Sequence, residues 1–430
     1  MSNKAEGLLT NTDFRRLWIG QTASQFGTQV ALLGMPLVAA LYLGASPMQI
    51  GLLGFAEYAP FIIFGLLAGV WIDRFPRRPI LVAANFVRGA LLLIVPLTAL
   101  IGFLNMTVLY LIAFIVGICT VFFDVAYTSF LPSVVSKEQL VDGNSKLETS
   151  KSAAQIAGPG LSGGLEQVIT APFAILFTSV SFFVSAVYIA RIRKLEKVVT
   201  DAKKPKNMWL EMKEGLHTVY TKPLLWGVVR CSTVFNLSWN VIFSVYVLYA
   251  SQELKISASI LGIIYGTLGV GYLFGSLLAQ RAVHRFGVGP TIVGSATIAA
   301  SGGLLAPLAV GSELSIALIM MLGQLLFGMG VSMFSISTIS LRQVIVPDAL
   351  QGRVNATFRF ISWGSLPLGS LMGGMIGGAM GLRFALFAGG IGLLASACTL
   401  WFTPFLQLRV KSFHELTLEK DVSIKSQGVT

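Results

Sequence analysis

Residues 69–78 read Gly-Val-Trp-Ile-Asp-Arg-Phe-Pro-Arg-Arg and lie at the junction of two long apolar runs, residues 47–72 and 79–102. Each run is long enough to cross a bilayer, because about 20 apolar residues span its hydrocarbon core. One aspartate and three arginines stand at the junction, and such charges are costly in hydrocarbon but common in cytoplasmic turns. The stretch therefore predicts a membrane hairpin with a tight cytoplasmic turn.

Apolar runs of spanning length recur along the whole chain. They cover residues 17–43, 47–72, 79–102, 107–132, 150–169, 172–192, 224–250, 258–282, 288–310, 313–340, 357–380 and 383–405. Of the 430 residues, 54% are hydrophobic and only 12% are charged, whereas a soluble domain carries roughly 25% charged residues. This composition excludes an ordinary soluble enzyme and a disordered chain. It predicts an all-α membrane protein with twelve transmembrane helices.

The basic residues predict the orientation of these helices. With the N-terminus in the cytoplasm, only Lys255 and Arg383 fall on the outer side, and all other basic residues of the loops fall inside. Both termini are then cytoplasmic, and the protein is a multi-pass protein of the plasma or inner membrane. The net charge of +12 is thus a signal of topology, and we expect no nucleic-acid partner.

The two halves of the chain resemble each other. Residues 66–68 (Leu-Leu-Ala) and 73–75 (Asp-Arg-Phe) recur as residues 277–279 (Leu-Leu-Ala) and 284–286 (His-Arg-Phe), at a constant offset of 211 residues. Two such repeats predict two pseudo-symmetric six-helix bundles with a substrate site near the membrane midplane.

A strongly charged segment separates the two halves. Residues 191–222 hold nine Lys or Arg residues against four acids. Residues 208–220 within it are predicted to form an amphipathic helix on the membrane surface. The predicted organisation is an N-terminal bundle (1–193), a cytoplasmic linker (194–222), a C-terminal bundle (223–406) and a cytoplasmic tail (407–430).

The stretch at residues 69–78 resembles the GxxxDRxGRR signature of the major facilitator superfamily, with Pro76 in place of the glycine. The resemblance implies a gate that closes the cytoplasmic side in one state of transport. A small glycine permits close helix packing, and a carboxylate accepts hydrogen bonds at a helix N-terminus. The alternative is a topology anchor with an incidental aspartate. The candidate gate residues are Gly69, Asp73, Arg74, Arg77, Arg78, Asp124 and Arg359.

A second signature lies in the fifth run. Residues 158–163, Gly-Pro-Gly-Leu-Ser-Gly, resemble the GPxxGG antiporter motif of the superfamily, with Ser162 in place of one glycine. Gly158, Pro159 and Gly163 would give a kinkable helix with a smooth glycine face. The motif is usually associated with exporters, although a plain packing face would need the same residues.

Further segments resemble one branch of the superfamily, the drug:proton antiporters that include macrolide and siderophore exporters. They are residues 13–18, 123–124, 131–132 and 366–369. Many relatives carry an acid after the glycine equivalent to Gly27, where this chain has Thr28. The resemblance implies proton-coupled efflux of the kind that confers multidrug resistance. If the acid of the relatives carries protons, its role has moved to another position or been lost in this chain.

Charges inside the apolar runs are the candidates for proton coupling, because each is costly in hydrocarbon. Glu57 lies roughly 15 Å from the outer end of its run, and Arg88 lies at a similar level. Glu57 is the candidate proton carrier, and a permanent Glu57–Arg88 ion pair is the alternative. Asp124 lies nearer the cytoplasmic end of its run, where it would serve the gate first and a proton relay second.

Polar side chains at helical spacing indicate a substrate cavity. Gln21, Gln25 and Gln29 share one face of the first run. Asn236, Trp239 and Asn240 lie on the equivalent seventh run. With Glu57, these groups would suit a large amphiphilic ligand. The alternative is that the amides hold neighbouring helices together.

No Gly-Lys dipeptide occurs, so the phosphate-binding loop of ATPases is absent from the sequence. We expect no catalytic site, cofactor or metal, and a monomer whose partners are protons, lipid and a small-molecule substrate. The sequence thus favours a proton-coupled exporter of an antibiotic, dye, siderophore or peptide metabolite. A nutrient uptake permease is the second hypothesis, and a non-transporting sensor or scaffold of the same fold is the third.

Overall fold

The computed structural model of the protein describes residues 8–72, 75–136, 139–193, 208–401, 403 and 405. Two predicted gate residues, Asp73 and Arg74, lie outside the described residues, as do linker residues 194–207 and the tail, 407–430. The described part contains thirteen α-helices and no strand. They are α1 (Thr12–Leu37), α2 (Pro47–Ile72), α3 (Arg77–Leu100), α4 (Met106–Val134), α5 (Leu140–Ile169), α6 (Ala171–Ala190), α7 (Met208–Thr221), α8 (Pro223–Leu248), α9 (Ala258–Phe286), α10 (Val288–Leu305), α11 (Glu313–Ile345), α12 (Asp348–Met380) and α13 (Leu382–Trp401).

Ten of the described helices are long and apolar enough to cross a membrane. Two helices that were predicted to span, α5 and α12, are not among the ten, although they are 30 and 33 residues long. Both begin earlier than their apolar runs, at Leu140 and Asp348, because a polar first section continues the same helix. Their apolar sections are rich in Gly and Ser, which favour close helix packing but add little hydropathy.

The repeat seen in the sequence reappears in the register of the helices. The equivalent starts are Pro47 and Ala258 for α2 and α9, Arg77 and Val288 for α3 and α10, and Ala171 and Leu382 for α6 and α13. Subtracting the residue numbers in each pair gives 211, the offset of the sequence repeat. Short π-helical segments continue α1 and α8 at the same offset, over Val38–Tyr42 and Tyr249–Glu253.

One loop of the repeat has a similar backbone conformation in both halves but a different residue. Thr170 joins α5 to α6 with φ 68° and ψ 155°, and Gly381 joins α12 to α13 with φ 95° and ψ 154°. These two positions are also 211 residues apart. This backbone region is accessible almost only to glycine, so the first half holds a threonine in a strained conformation that the second half fills with glycine.

The helices cluster into two compact units. The first unit comprises residues 1–203 and 247–266, and the second comprises residues 204–246 and 267–430. Each has its own buried apolar core. The first core includes Phe14, Leu17, Phe130 and Ile192, and the second includes Val228, Ile292, Leu341 and Leu400.

The helix predicted for residues 208–220 is confirmed as α7, and it packs on α12 within the second unit. Gly215 is buried at this contact. A Cβ atom at this position would lie 2.8 Å from the carbonyl oxygen of Arg353, so glycine allows the close approach of the two helices. Glu214 forms an ion pair with Arg353. Lys222, just beyond α7, donates to the carbonyl of Ile345 at 2.9 Å. These contacts therefore hold α7 against the end of α11 and the first turns of α12.

Candidate functional site

Arg88 lies in the middle of α3 and is almost completely buried, with 2% of its surface exposed. Its guanidinium group lies between the rings of Phe123 and Phe182, 4.4 Å from each ring centroid. Each ring presents its negative face to the cation, and the attraction is strongest where water is excluded. The first unit thus holds a positive charge between α4 and α6, at the middle of the apolar helix α3.

Polar contacts complete this site. Arg88 donates a hydrogen bond to the side-chain oxygen of Asn85, one turn earlier on α3. Asn85 in turn donates to the hydroxyl of Ser185 on α6 at 2.7 Å. Asp124 follows Phe123 on α4, so the same turn of helix carries one of the two rings and a carboxylate. We call Asn85, Arg88, Phe123, Asp124, Phe182 and Ser185 the arginine site.

Sequence reasoning found two members of the arginine site, Arg88 and Asp124, as candidates for proton coupling, and it also placed Asp124 in the gate. It missed Asn85, although the spacing of three residues from Arg88 places both side chains on one face of α3. It also missed the role of Phe123 and Phe182 as the aromatic walls. No spacing along the chain connects these rings, because they come from two other helices.

Glu57 lies on α2, one turn before Pro60. The neighbouring helix α4 passes very close here, since a Cβ atom on Gly117 would lie 2.5 Å from the Glu57 carbonyl oxygen and 2.9 Å from the Pro60 ring. Among the described residues no ion pair joins Glu57 to Arg88. The permanent pair considered from depth alone is therefore not formed, and Glu57 is a half-buried residue of α2.

The described candidate gate residues have the following surroundings. Arg78 donates to the carbonyl of Ala190, the last residue of α6. Gly69 lies in the last turns of α2, and Arg77 is the first residue of α3. In the second unit, Arg359 is exposed and stacks on Trp363 of its own helix, with its guanidinium 4.4 Å from the ring centroid. Their role as a gate stays a prediction.

The antiporter-like motif lies on α5, and one face of it packs on α1. Gly158 contacts the side chain of Gln29. Ser162, which replaces a glycine of the motif, donates to the carbonyl of Val30 at 3.0 Å. Gln29 therefore packs against the motif. Gln21 is buried, and its side-chain oxygen has no hydrogen-bond partner among the described residues.

A neighbouring face of the motif packs on the start of α9, within the first unit. Gly163 approaches Ala258 and Gly262, and a Cβ atom on Gly262 would lie 2.6 Å from the Pro159 carbonyl oxygen. One turn further on, a Cβ atom on Gly266 would lie 2.9 Å from a carbonyl of α5. Small residues four positions apart on α9, a known signal for close helix packing, would have predicted this contact.

In the second unit, Trp239 lines a narrow pocket. Its ring stacks on Phe327 of α11 with the centroids 3.7 Å apart. Gln324 lines the same pocket, and its side-chain oxygen has no hydrogen-bond partner among the described residues. Sequence reasoning missed Gln324 and Phe327, although they lie three residues apart on one helix face.

The two predicted asparagines near Trp239 are engaged by backbone groups. Asn236 donates to the carbonyl of Ser362 on α12 at 2.8 Å. Asn240 donates to the carbonyl of Asn236 at 3.2 Å. The amide of Asn236 therefore joins α8 to α12, as the alternative hypothesis expected, whereas the bond of Asn240 lies within α8. Trp239 faces a pocket.

Comparison with known proteins agrees with this architecture. A family model described as a transmembrane secretion effector matches residues 6–425. An uncharacterized MFS-type transporter of Sinorhizobium fredii is 21% identical over 398 residues, which is 90% of this chain and 94% of that protein. Macrolide efflux protein A of Streptococcus pyogenes is 25% identical over 300 residues, which is 65% of this chain and 72% of that protein.

Solved structures share the fold. A bacterial homologue of the iron transporter ferroportin, in an inward-facing state, has a TM-score of 0.74 at 16% identity and covers 92% of this chain and 99% of its own. The nucleoside transporter NupG has a TM-score of 0.67 at 11% identity, with 92% and 98% covered. Since the family model spans nearly the whole chain, the protein belongs to the transmembrane secretion effector family of major facilitator transporters.

Proposed function

We propose that the protein is a proton-coupled exporter of hydrophobic or amphiphilic compounds that works by alternating access. The observation that carries the proposal is the group of ionisable side chains inside the apolar helices of the first unit, Glu57, Arg88 and Asp124. A packing scaffold has no need for such costly charges, whereas ion-coupled transporters use them. The similarity to macrolide efflux proteins supports the direction of transport.

The three charges have different tasks in this proposal. Arg88 keeps its proton and serves as a fixed positive charge, held by Asn85 and the two phenylalanine rings. Asp124 balances that charge. Glu57 has no ion-pair partner among the described residues, so its carboxyl group is the one that gains and loses the transported proton. A proton that binds one state more tightly shifts the equilibrium between states.

The helix contact between α5 and α9 supplies the moving part of the proposal. Glycines on both sides let the backbones touch through Gly163 and Gly262 without interlocking side chains. A smooth contact of this kind can separate and close again during a transport cycle. The candidate gate residues of the first unit that lie within the described part, Arg77, Arg78 and Asp124, would hold the cytoplasmic side shut while the outer side is open.

The proposed substrate contacts in the second unit are the aromatic pocket of Trp239 and Phe327 and the amide of Gln324, which lines the same pocket. Stacked rings bind flat or apolar groups without strict shape requirements, and the unpartnered amide oxygen of Gln324 accepts a hydrogen bond from a ligand. In the first unit, the buried amide of Gln21 is a separate candidate contact. An antibiotic, dye, siderophore or peptide metabolite would meet these requirements. The proposal includes a monomer in the plasma or inner membrane with both termini in the cytoplasm.

Inverted membrane vesicles test the function and separate the three hypotheses. Vesicles that contain the protein are energised by respiration, and uptake of a labelled macrolide is followed with and without an uncoupler. Uncoupler-sensitive uptake is the expected result. Uptake by right-side-out vesicles alone would support the uptake permease. No protein-dependent movement of the macrolide, dyes or siderophores in either orientation would support a sensor or scaffold.

A further inference from the structure

A strongly basic pocket lies at one end of the first unit, at the start of α3, whereas the arginine site lies deeper in the same helix. It has a volume of about 640 Å³ and is lined by Arg16, Arg78, Arg191 and Arg193, with Ala190 and Ile192 between them. The starts of α1 and α3 and the end of α6 meet there. By the distribution of basic residues this end is cytoplasmic.

The backbone that carries two of these arginines is held in place. Ile192 is completely buried in the core of the first unit. The backbone N–H of Arg193 donates to the Asp13 carboxylate at 3.1 Å. Arg78 donates to the carbonyl of Ala190. Arg191 and Arg193 are therefore presented at the surface, on either side of an anchored residue, without any contribution of their own side chains to the core.

The pocket has an excess of positive charge. Asp13 is the one carboxylate that the described contacts bring to it, and this group is paired with Arg16 at 3.1 Å. Among the described residues no acid forms an ion pair with Arg191 or Arg193. Guanidinium groups bind phosphate oxygens through pairs of charge-assisted hydrogen bonds. A phosphate group is therefore the ligand chemistry that fits.

An apolar surface leads from the membrane to this pocket. Val180, Val184 and Val187 are 51%, 36% and 48% exposed along the last turns of α6, immediately before Arg191. Phe86 on the adjacent helix α3 is 57% exposed and packs edge-on against Phe183 of α6. On a membrane-spanning helix such side chains face lipid acyl chains. The pocket then lies at the level of the headgroups, where basic pockets between helices bind anionic lipids.

We propose that the arginine-lined pocket at the ends of α1, α3 and α6 binds the phosphate group of an anionic phospholipid of the cytoplasmic leaflet. The acyl chains run along the exposed valines of α6. A free phosphate ion shares the headgroup chemistry, but it would make no use of the apolar surface. The pocket shares Arg78 with the candidate gate, whereas Arg191 and Arg193 have no part in the proposed transport cycle. Binding of the lipid does not depend on the direction of transport.

Binding of phosphatidylglycerol to the purified, delipidated full chain tests the proposal, with native mass spectrometry as the readout. The test variant is the double substitution Arg191→Gln and Arg193→Gln. The matched control is Arg281→Gln and Arg285→Gln, which removes the same charge from two exposed arginines of the second unit. Each arginine near the surface contributes about fivefold in affinity, so the test variant should bind about twenty-five-fold more weakly. The control should bind within twofold of the unaltered protein.

Three results would overturn the proposal. Equal weakening in the test and control variants would show a general charge effect, and unchanged binding in both would show that the pocket is not used. Displacement of the lipid by an equimolar amount of inorganic phosphate would assign the pocket to a free anion instead. Phosphatidylcholine, which has no net charge, should bind all three proteins equally.

Discussion

The contact between α5 and α9 makes a sharp prediction, because one methyl group should obstruct it. In the variant Gly262→Ala, the new Cβ atom would lie 2.6 Å from the carbonyl oxygen of Pro159 and 3.2 Å from the Cα atom of Gly160. Both distances are shorter than ordinary van der Waals contacts, which begin at about 3.5 Å. The nearest atom is backbone and cannot rotate away, so the two helices must move apart.

The size of the effect follows from the cost of overpacking. Inserting a methyl group into a close contact costs about 1–3 kcal/mol. A cost of about 1–3 kcal/mol in one state of a two-state equilibrium changes its population by about 5–150-fold. Alanine also favours the helix over glycine by up to about 1 kcal/mol in all states. That gain does not distinguish between states, so it leaves the shift in population unchanged.

The assay is the initial rate of labelled macrolide transport into inverted vesicles, normalised to the amount of folded protein. Gly262→Ala should lower this rate at least fivefold. The matched control is Gly160→Ala on α5, since a Cβ atom at that position has no described atom within 4 Å. The control should retain the full rate. If the two variants transport equally well, the glycine contact is a passive packing face and the proposed movement at this position is refuted.

Two predictions concern stability. Thr170→Gly should raise the thermal unfolding midpoint of the purified protein, because relief of about 1–3 kcal/mol of backbone strain exceeds the entropy that glycine adds to the unfolded chain. Gly381→Thr should lower the midpoint, because it places a threonine in the same backbone region. A lower midpoint for Thr170→Gly would show that Thr170 is not strained. Asn85→Ala should lower the free energy of unfolding by about 1–3 kcal/mol, since it leaves the buried Arg88 without its hydrogen-bond acceptor. Equilibrium unfolding measures this loss, with Ser185→Ala as the control, because that variant removes only the hydrogen bond between Asn85 and Ser185. Equal losses of unfolding free energy in the two variants would show that the bond from Arg88 to Asn85 contributes nothing.

The membrane helices and their repeat follow directly from the sequence. Apolar runs must be helical in hydrocarbon because every backbone polar group has to be satisfied within its own segment. The 211-residue offset, read from residues 66–75 and 277–286, holds for three pairs of helix starts. The helix ends were less predictable, because polar helical turns outside the bilayer look like loops, as at the start of α5.

The arginine site was only partly predictable. A charge within an apolar run marks Arg88 as a residue that needs compensation. The identity of the compensating groups depends on how α4 and α6 are rotated about their axes, which periodicity alone does not give. Depth suggested Glu57 as the partner, whereas Asn85, Phe123 and Phe182 surround the guanidinium. Residues at the same depth need not face each other.

The most direct test of the account follows proton-driven transport in proteoliposomes with an imposed pH gradient. Accumulation of a cationic fluorescent dye is compared among the unaltered protein, Glu57→Gln and the control Glu166→Gln, which removes an acid in the last turn of α5. The account predicts dye movement in the unaltered protein and the control, and its loss in Glu57→Gln. Equal, gradient-driven dye movement in all three proteins would contradict the assignment of Glu57 as the proton carrier.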